Sequence, residues 1–135
     1  MTYWGYHLIL NCSKCVPHTI RSHANIETFS NELVKRIDMV AYGRPQIVHF
    51  GTGNKAGYTL IQLIETSNIA GHFVEETDDI YLDVFSCKPF EQDTVTQTVN
   101  QYFSPKVISS VFLNRQAGTR LFVENGNNYK TVELK

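Results

Sequence analysis

Apolar residues along this chain recur in two rhythms, and the places where the rhythm changes divide it into elements. Residues 6–12, YHLILNC, form an apolar-rich run of β type. After a polar connection containing Pro17 the spacing lengthens: Ile26, Phe29, Leu33, Ile37 and Val40 recur at three- and four-residue steps, which predicts a helix over 26–41. Asn25 is placed to cap its start and Gly43 to mark its end. Strand-like segments follow at 46–51, 57–65, 69–75 and 79–86. The turn formers of GTGNKAG separate the first two and EETDD separates the last two, as expected between antiparallel neighbours. Pro89 opens a second helix on which Val95, Val99, Tyr102 and Phe103 share a face, and SPK closes it before a strand at 107–113. The tail TRLFVENGNNYKTVEL reads as a hairpin turning at Asn125-Gly126 or at the asparagines just after.

The order is therefore β-α-β-β followed by β-β-α-β, with short connections. That pattern predicts an α+β two-layer sandwich, an antiparallel sheet with two helices on one face. The other face needs a cover, and a second copy of the chain, making a homodimer, is the simplest one for a molecule of this size.

Composition narrows the function classes. At 135 residues the chain, 1–135, reads as a single domain, and 42% hydrophobic with 19% charged residues is the balance of a soluble globular protein. A net charge of -1 offers no basic field for nucleic acid or an anionic membrane. No apolar run approaches the roughly 20 residues of a membrane span, and MTYWGYHLILNCSK has no basic leader, so a cytoplasmic protein is expected. Three cysteines make no disulfide framework and are read as thiols.

Candidate chemistry is sparse. Cys12-Ser-Lys-Cys15 with His18 and His23 contains zinc-ligand types, but the spacing is not that of a common finger, and small buried thiols with no metal are the expectation. Gly51-Thr-Gly53 lacks the further glycine and lysine of a phosphate loop and reads as a turn. Thr59, Ser67, His72 and Cys87 are each ordinary taken alone: a serine in a strand bonded to backbone, a half-exposed histidine, a core thiol.

Taken as a set, these four resemble the small bacterial and archaeal S-adenosylmethionine decarboxylases. GYHL at Gly5 to Leu8 is similar to that family's Gly-x-His-Leu opening, with Cys15 where a cysteine often follows. The family's central pattern is Glu-Ser-His, then His-Thr-Trp-Pro-Glu, then a strand ending Asp-x-Phe-Thr-Cys. Here TSN contains Ser67, HFVEE runs from His72 to Glu76, and DVFSC ends at Cys87. The intervals hold without gaps: five residues from Ser67 to His72, four more to Glu76, and fifteen from His72 to Cys87. Thr59 falls where the family carries a serine that assists processing.

The resemblance implies that the hydroxyl of Ser67 attacks the carbonyl of Thr66, that the chain self-cleaves between 66 and 67, and that residue 67 becomes a pyruvoyl group. It implies a base-like role for His72, a supporting hydroxyl at Thr59, a proton donor at Cys87 and a ribose-binding carboxylate at Glu76. The ketone would form a Schiff base with the substrate amine and accept electrons as carbon dioxide leaves, and the product would serve polyamine (spermidine) synthesis. A thiol at Cys87 suits proton return because its ordinary pKa lies near neutrality. Departures fall around the reacting serine: Thr66 replaces the family's glutamate, with Glu65 one place earlier, and Asn68 replaces a histidine. Phe73, Val74 and Glu75 stand in the next motif, Lys88 follows Cys87, and Asn11 occupies a usually acidic position. These changes bear on Glu65 and Asn68 as substrate-binding residues. They motivate two alternatives, a pyruvoyl decarboxylase of ornithine or arginine and an uncleaved binding or regulatory homologue.

Overall fold

The computed structural model of the chain describes residues 3–118 and, beyond them, the backbone of 121–125 and 128–132. Eight strands form one sheet among these residues: β1 (Gly5–Ser13), β2 (Gln46–Phe50), β3 (Gly57–Ile64), β4 (Ser67–Val74), β5 (Asp79–Ser86), β6 (Val107–Arg115), β7 (Leu121–Asn125) and β8 (Asn128–Val132). Their order across the sheet is β2-β3-β4-β5-β1-β6-β7-β8, and the paired neighbours are antiparallel. The helices are α1 (Pro17–Ile20), α2 (His23–Arg36) and α3 (Gln92–Phe103).

Alternation along the strands assigns the faces. Leu8, Leu10 and Cys12 of β1, Ile69 and Phe73 of β4, and Ile80, Leu82 and Val84 of β5 are buried, and they share one core with Ile26, Phe29 and Leu33 of α2 and Val95, Val99 and Phe103 of α3. Phe103 sits at the centre, 4.9 Å from the Phe29 ring in an edge contact and 5.4 Å from Phe73, so one side chain ties both helices to β4. Burying each such side chain contributes about 1.5–3 kcal/mol. Val48, Phe50, Leu63, Tyr81 and Val107 are exposed on the opposite face, which keeps the period-two pattern but leaves apolar area in water.

The sheet, its antiparallel pairing and the two long helices agree with the sequence expectation. The helix ends do not. α2 begins at His23, because Ser22 caps it by accepting from the Asn25 N–H at 3.0 Å. Asn25 instead lies inside the first turn and donates its side-chain amide to the carbonyls of Thr19 and Tyr102, each at 3.1 Å, joining α1 and α3. The helix stops at Arg36, not at 41. Asp38 turns left-handed at φ 59°, its N–H bonds the Lys35 carbonyl at 3.1 Å, and the Met39 N–H bonds the Val34 carbonyl at 2.9 Å, which is a Schellman closure built on an aspartate. Val40 is consequently 57% exposed rather than part of the helix face. Gly43 lies in the following loop, where its carbonyl accepts from Gln62 Nε2 at 3.2 Å.

The polar connection around Pro17 contains the short helix α1, with Pro17 in its first turn. α3 starts after Glu91, so Pro89 precedes the helix instead of opening it, and Ser104, left-handed at φ 46°, ends it. The C-terminal hairpin pairs Asn125 with Asn128, and residues 126–127 between them lie outside the described residues.

Candidate functional site

β3 and β4 are joined through Glu65 and Thr66 alone, with Ile64 directly opposite Ser67. Two-residue hairpins favour turns in which a central residue has positive φ, yet neither Glu65 nor Thr66 does. The positive value falls on Ser67 at 157°, close to fully extended backbone. Bonds from outside the hairpin hold the turn: the Glu65 N–H donates to the Val40 carbonyl at 2.9 Å, and the Thr66 carbonyl accepts from the Cys87 N–H at 3.0 Å.

The Thr66 side chain is fixed as well. The Lys88 N–H donates to Ser86 Oγ at 3.0 Å, Ser86 Oγ donates to Thr66 Oγ1 at 2.8 Å, and Thr66 Oγ1 donates to Met39 Sδ at 3.3 Å. Each hydroxyl has one proton, so the three bonds run in one direction and end on a weak acceptor. Ser86 is completely buried, and its register partner across β4–β5 is Ser67. The Lys88 ammonium closes the same corner from outside, bonded to the Asp38 carbonyl at 2.6 Å and to its carboxylate at 3.0 Å. Cys87 is exposed beside this corner. Thr66, Ser67 and Cys87 are thus brought together at one end of β4.

Thr59 and His72 meet elsewhere. They are direct cross-strand partners, with Thr59 Oγ1 3.3 Å from His72 Nδ1, and His72 pairs on its other side with Tyr81. His72 is exposed on the face away from the helices. Five residues of strand separate it from Ser67, about 16 Å of rise. Within one chain, therefore, His72 and Thr59 do not stand at the 66–67 bond where the sequence reading put them.

Of the residues assigned to substrate, Asn68 lies on the open face between Leu63 and Phe85. Glu65 is exposed at the hairpin, and Glu76 is exposed in the β4–β5 turn. The neighbouring Glu75 is engaged with His49, carboxylate to Nε2 at 2.8 Å. Cys12 and Cys15 are buried, and burial above all pushes both thiols up to about 12, with Cys15 and then Asp79 adding to the rise at Cys12 and Asp79 and then Asp78 at Cys15, so they stay protonated.

The sequence reading missed Ser86 and Met39, and also the setting of His7 in the GYHL motif. His7 Nε2 lies 3.1 Å from an Asp83 carboxylate oxygen, and its Nδ1 lies 3.5 Å from the Arg115 guanidinium, which stacks 4.5 Å over Phe85. A neutral ring protonated at Nε2 satisfies both contacts. For Ser86 a signal was present: alternation in DVFSC places it inward with Val84, and a buried hydroxyl needs a partner.

Comparison with known proteins agrees with this fold. The crystal structure of the adenosylmethionine decarboxylase from Aquifex aeolicus VF5 superposes with a TM-score of 0.75 at 19% identity, covering 95% of this chain and 100% of that one, which establishes the likeness of fold. Among curated proteins no relative matches. The family model described as S-adenosylmethionine decarboxylase matches residues 6–116, most of the sequence and every residue of the corner just described, and the chain belongs to that family.

Proposed function

We propose that this protein is a self-processing, pyruvoyl-dependent decarboxylase whose substrate is S-adenosylmethionine and whose product supplies aminopropyl groups for polyamine synthesis. The observation that carries the reading is the 3.0 Å bond from the Cys87 N–H to the Thr66 carbonyl, the group that the adjacent Ser67 hydroxyl would attack. Such a donor stabilises negative charge as it develops on that oxygen. Ser67 Oγ adds to the Thr66 carbonyl carbon and loses its proton to a base, and the C–N bond breaks to leave an ester and a free amine. Loss of the residue 67 α-proton then expels the Thr66 carboxylate, and water replaces the nitrogen, which departs as ammonia.

The residues present fit the group so formed, since a serine at a strand start, a held carbonyl and an exposed thiol converge there. When in place, a pyruvoyl ketone supplies an electron sink for decarboxylation. Cys87 is the proton donor to the substrate α-carbon, and Glu76 binds the ribose hydroxyls through its carboxylate. Asn68 and Glu65 line the approach for the amino acid end. His72 is the base for processing and Thr59 orients it.

A separation of about 16 Å within one chain supports a site in which His72 and Thr59 serve the Ser67 of a second copy. The exposed apolar side chains on the same face as His72, Leu63 and Tyr81 among them, support a homodimer through that face. Intact mass of freshly made protein tests the first claim: fragments 1–66 and 67–135 accumulate, and a wild-type chain that never splits overturns it. Mixing Ser67→Ala with His72→Ala tests the second. Cleavage in the mixture, at a rate neither variant reaches alone, is expected, and two inert variants that stay inert together exclude a shared site.

A further inference from the structure

We infer that Ser86 is a positioning residue for the break between 66 and 67: its hydroxyl holds the Thr66 side chain and so keeps the Thr66 carbonyl on the Cys87 amide. This rests on the reading that the bond is cut.

Three observations lead here. First, the β3–β4 connection is not of the favoured kind, since neither Glu65 nor Thr66 takes the positive φ that suits a two-residue loop. Besides the Ile64–Ser67 pairing, bonds to other elements hold the 66–67 peptide, and two of them, at the Thr66 carbonyl and the Thr66 hydroxyl, come from the consecutive residues Cys87 and Ser86. Second, Ser86 is fully buried, where a hydroxyl is costly unless bonded on both sides, and it is so bonded, by Lys88 N–H at 3.0 Å and to Thr66 Oγ1 at 2.8 Å. Third, the far end of the chain is prearranged. Met39, the acceptor for Thr66 Oγ1, is the residue whose N–H completes the Schellman closure of α2, so the sulfur's place follows from where that helix stops. The Ser86 contact with Met39 is longer, 3.6 Å, and cannot use the same proton, which leaves Thr66 as the partner of Ser86.

Threonine at 66 is what makes this arrangement possible. A hydroxyl there both accepts from Ser86 and donates onward, whereas an ionised carboxylate could only accept. The pair Ser86–Thr66 thus substitutes a short neutral clamp for charge at the residue before the cut, and the peptide is aligned by packing and hydrogen bonds.

The test reads both the clamp and the cut. Amide exchange at Cys87 is measured in a Ser67→Ala background, where the peptide stays whole. Ser86→Ala should speed that exchange about fivefold to tenfold. In chains retaining Ser67, cleavage followed by intact mass should slow about 10- to 100-fold for Ser86→Ala and for Thr66→Val. The double variant should be no slower than the slower single, and Thr66→Ser, which keeps the hydroxyl, should restore the rate at matched thermal stability. Unchanged Cys87 exchange in Ser86→Ala overturns the proposal, as do additive losses in the double variant. If wild-type chain never splits, the decarboxylase reading fails while the exchange measurement still decides whether Ser86 holds the carbonyl.

Discussion

At its first residue β4 is gripped from several sides; five residues further on, at His72, it lies open to solvent. The Thr66–Ser67 corner has a buried serine, a backbone donor on the carbonyl and a side-chain chain ending on Met39. The Thr59–His72 pair has one contact at 3.3 Å and an exposed ring. The first region is completed by the fold of a single chain. The second presents functional groups outward, on a face with unburied Leu63, Tyr81 and Val48. On the proposed reading, folding would arrange the bond to be broken, and association would deliver the groups that break it.

Substitutions can break that contrast at either end. The largest effect is expected for Ser67→Ala, which removes the attacking oxygen and should abolish cleavage at every pH, read by intact mass. His72→Ala should slow cleavage about 10²- to 10⁴-fold as a lost general base, and, unlike Ser67→Ala, should be relieved by a partner chain carrying the intact histidine. Thr59→Val should slow it about tenfold, the scale of one modest hydrogen bond, with no change in thermal midpoint because the pair lies outside the core. A smaller effect belongs to the opposite face. Cys12 and Cys15 have an ordinary value of 9.0 and are pushed up to about 12 in the folded chain, so above pH 9 the unfolded chain loses protons that the folded one keeps. Stability from these thiols is fully present below pH 9 and declines as pH rises towards 12. Denaturant midpoints of wild type against Cys12→Ser and Cys15→Ser across that window check the slope, which should flatten in each variant.

Much of the fold was legible because period tells strand from helix: β3, β4 and β5 fall within about two residues of their expected bounds. The ends of α2 were not legible, since Ser22 and Asn25 are both good caps and only the packing of Asn25 against Thr19 and Tyr102 decides between them. Its C-terminus hid for a similar reason. The left-handed residue is Asp38, while Gly43 offered the stronger signal five residues later. At the site, Ser67 and Cys87 were readable through spacing, and the register Ser67 opposite Ser86 then carries them together. Alternation pointed to the burial of Ser86 but not to its partner, and Met39 gave no signal, because their roles depend on a cross-strand register and a helix stop, neither of which is local in sequence. The interval from Ser67 to His72 was read as proximity, yet an extended strand turns five residues into distance.

Two of the three thiols are sealed under the helices and one, Cys87, stands in water. An electrophile such as a maleimide therefore meets a single reactive address, immediately beside the junction of interest. A fluorophore attached there would report each scission as it happened, and a spin label would measure how far apart two such junctions sit when copies meet.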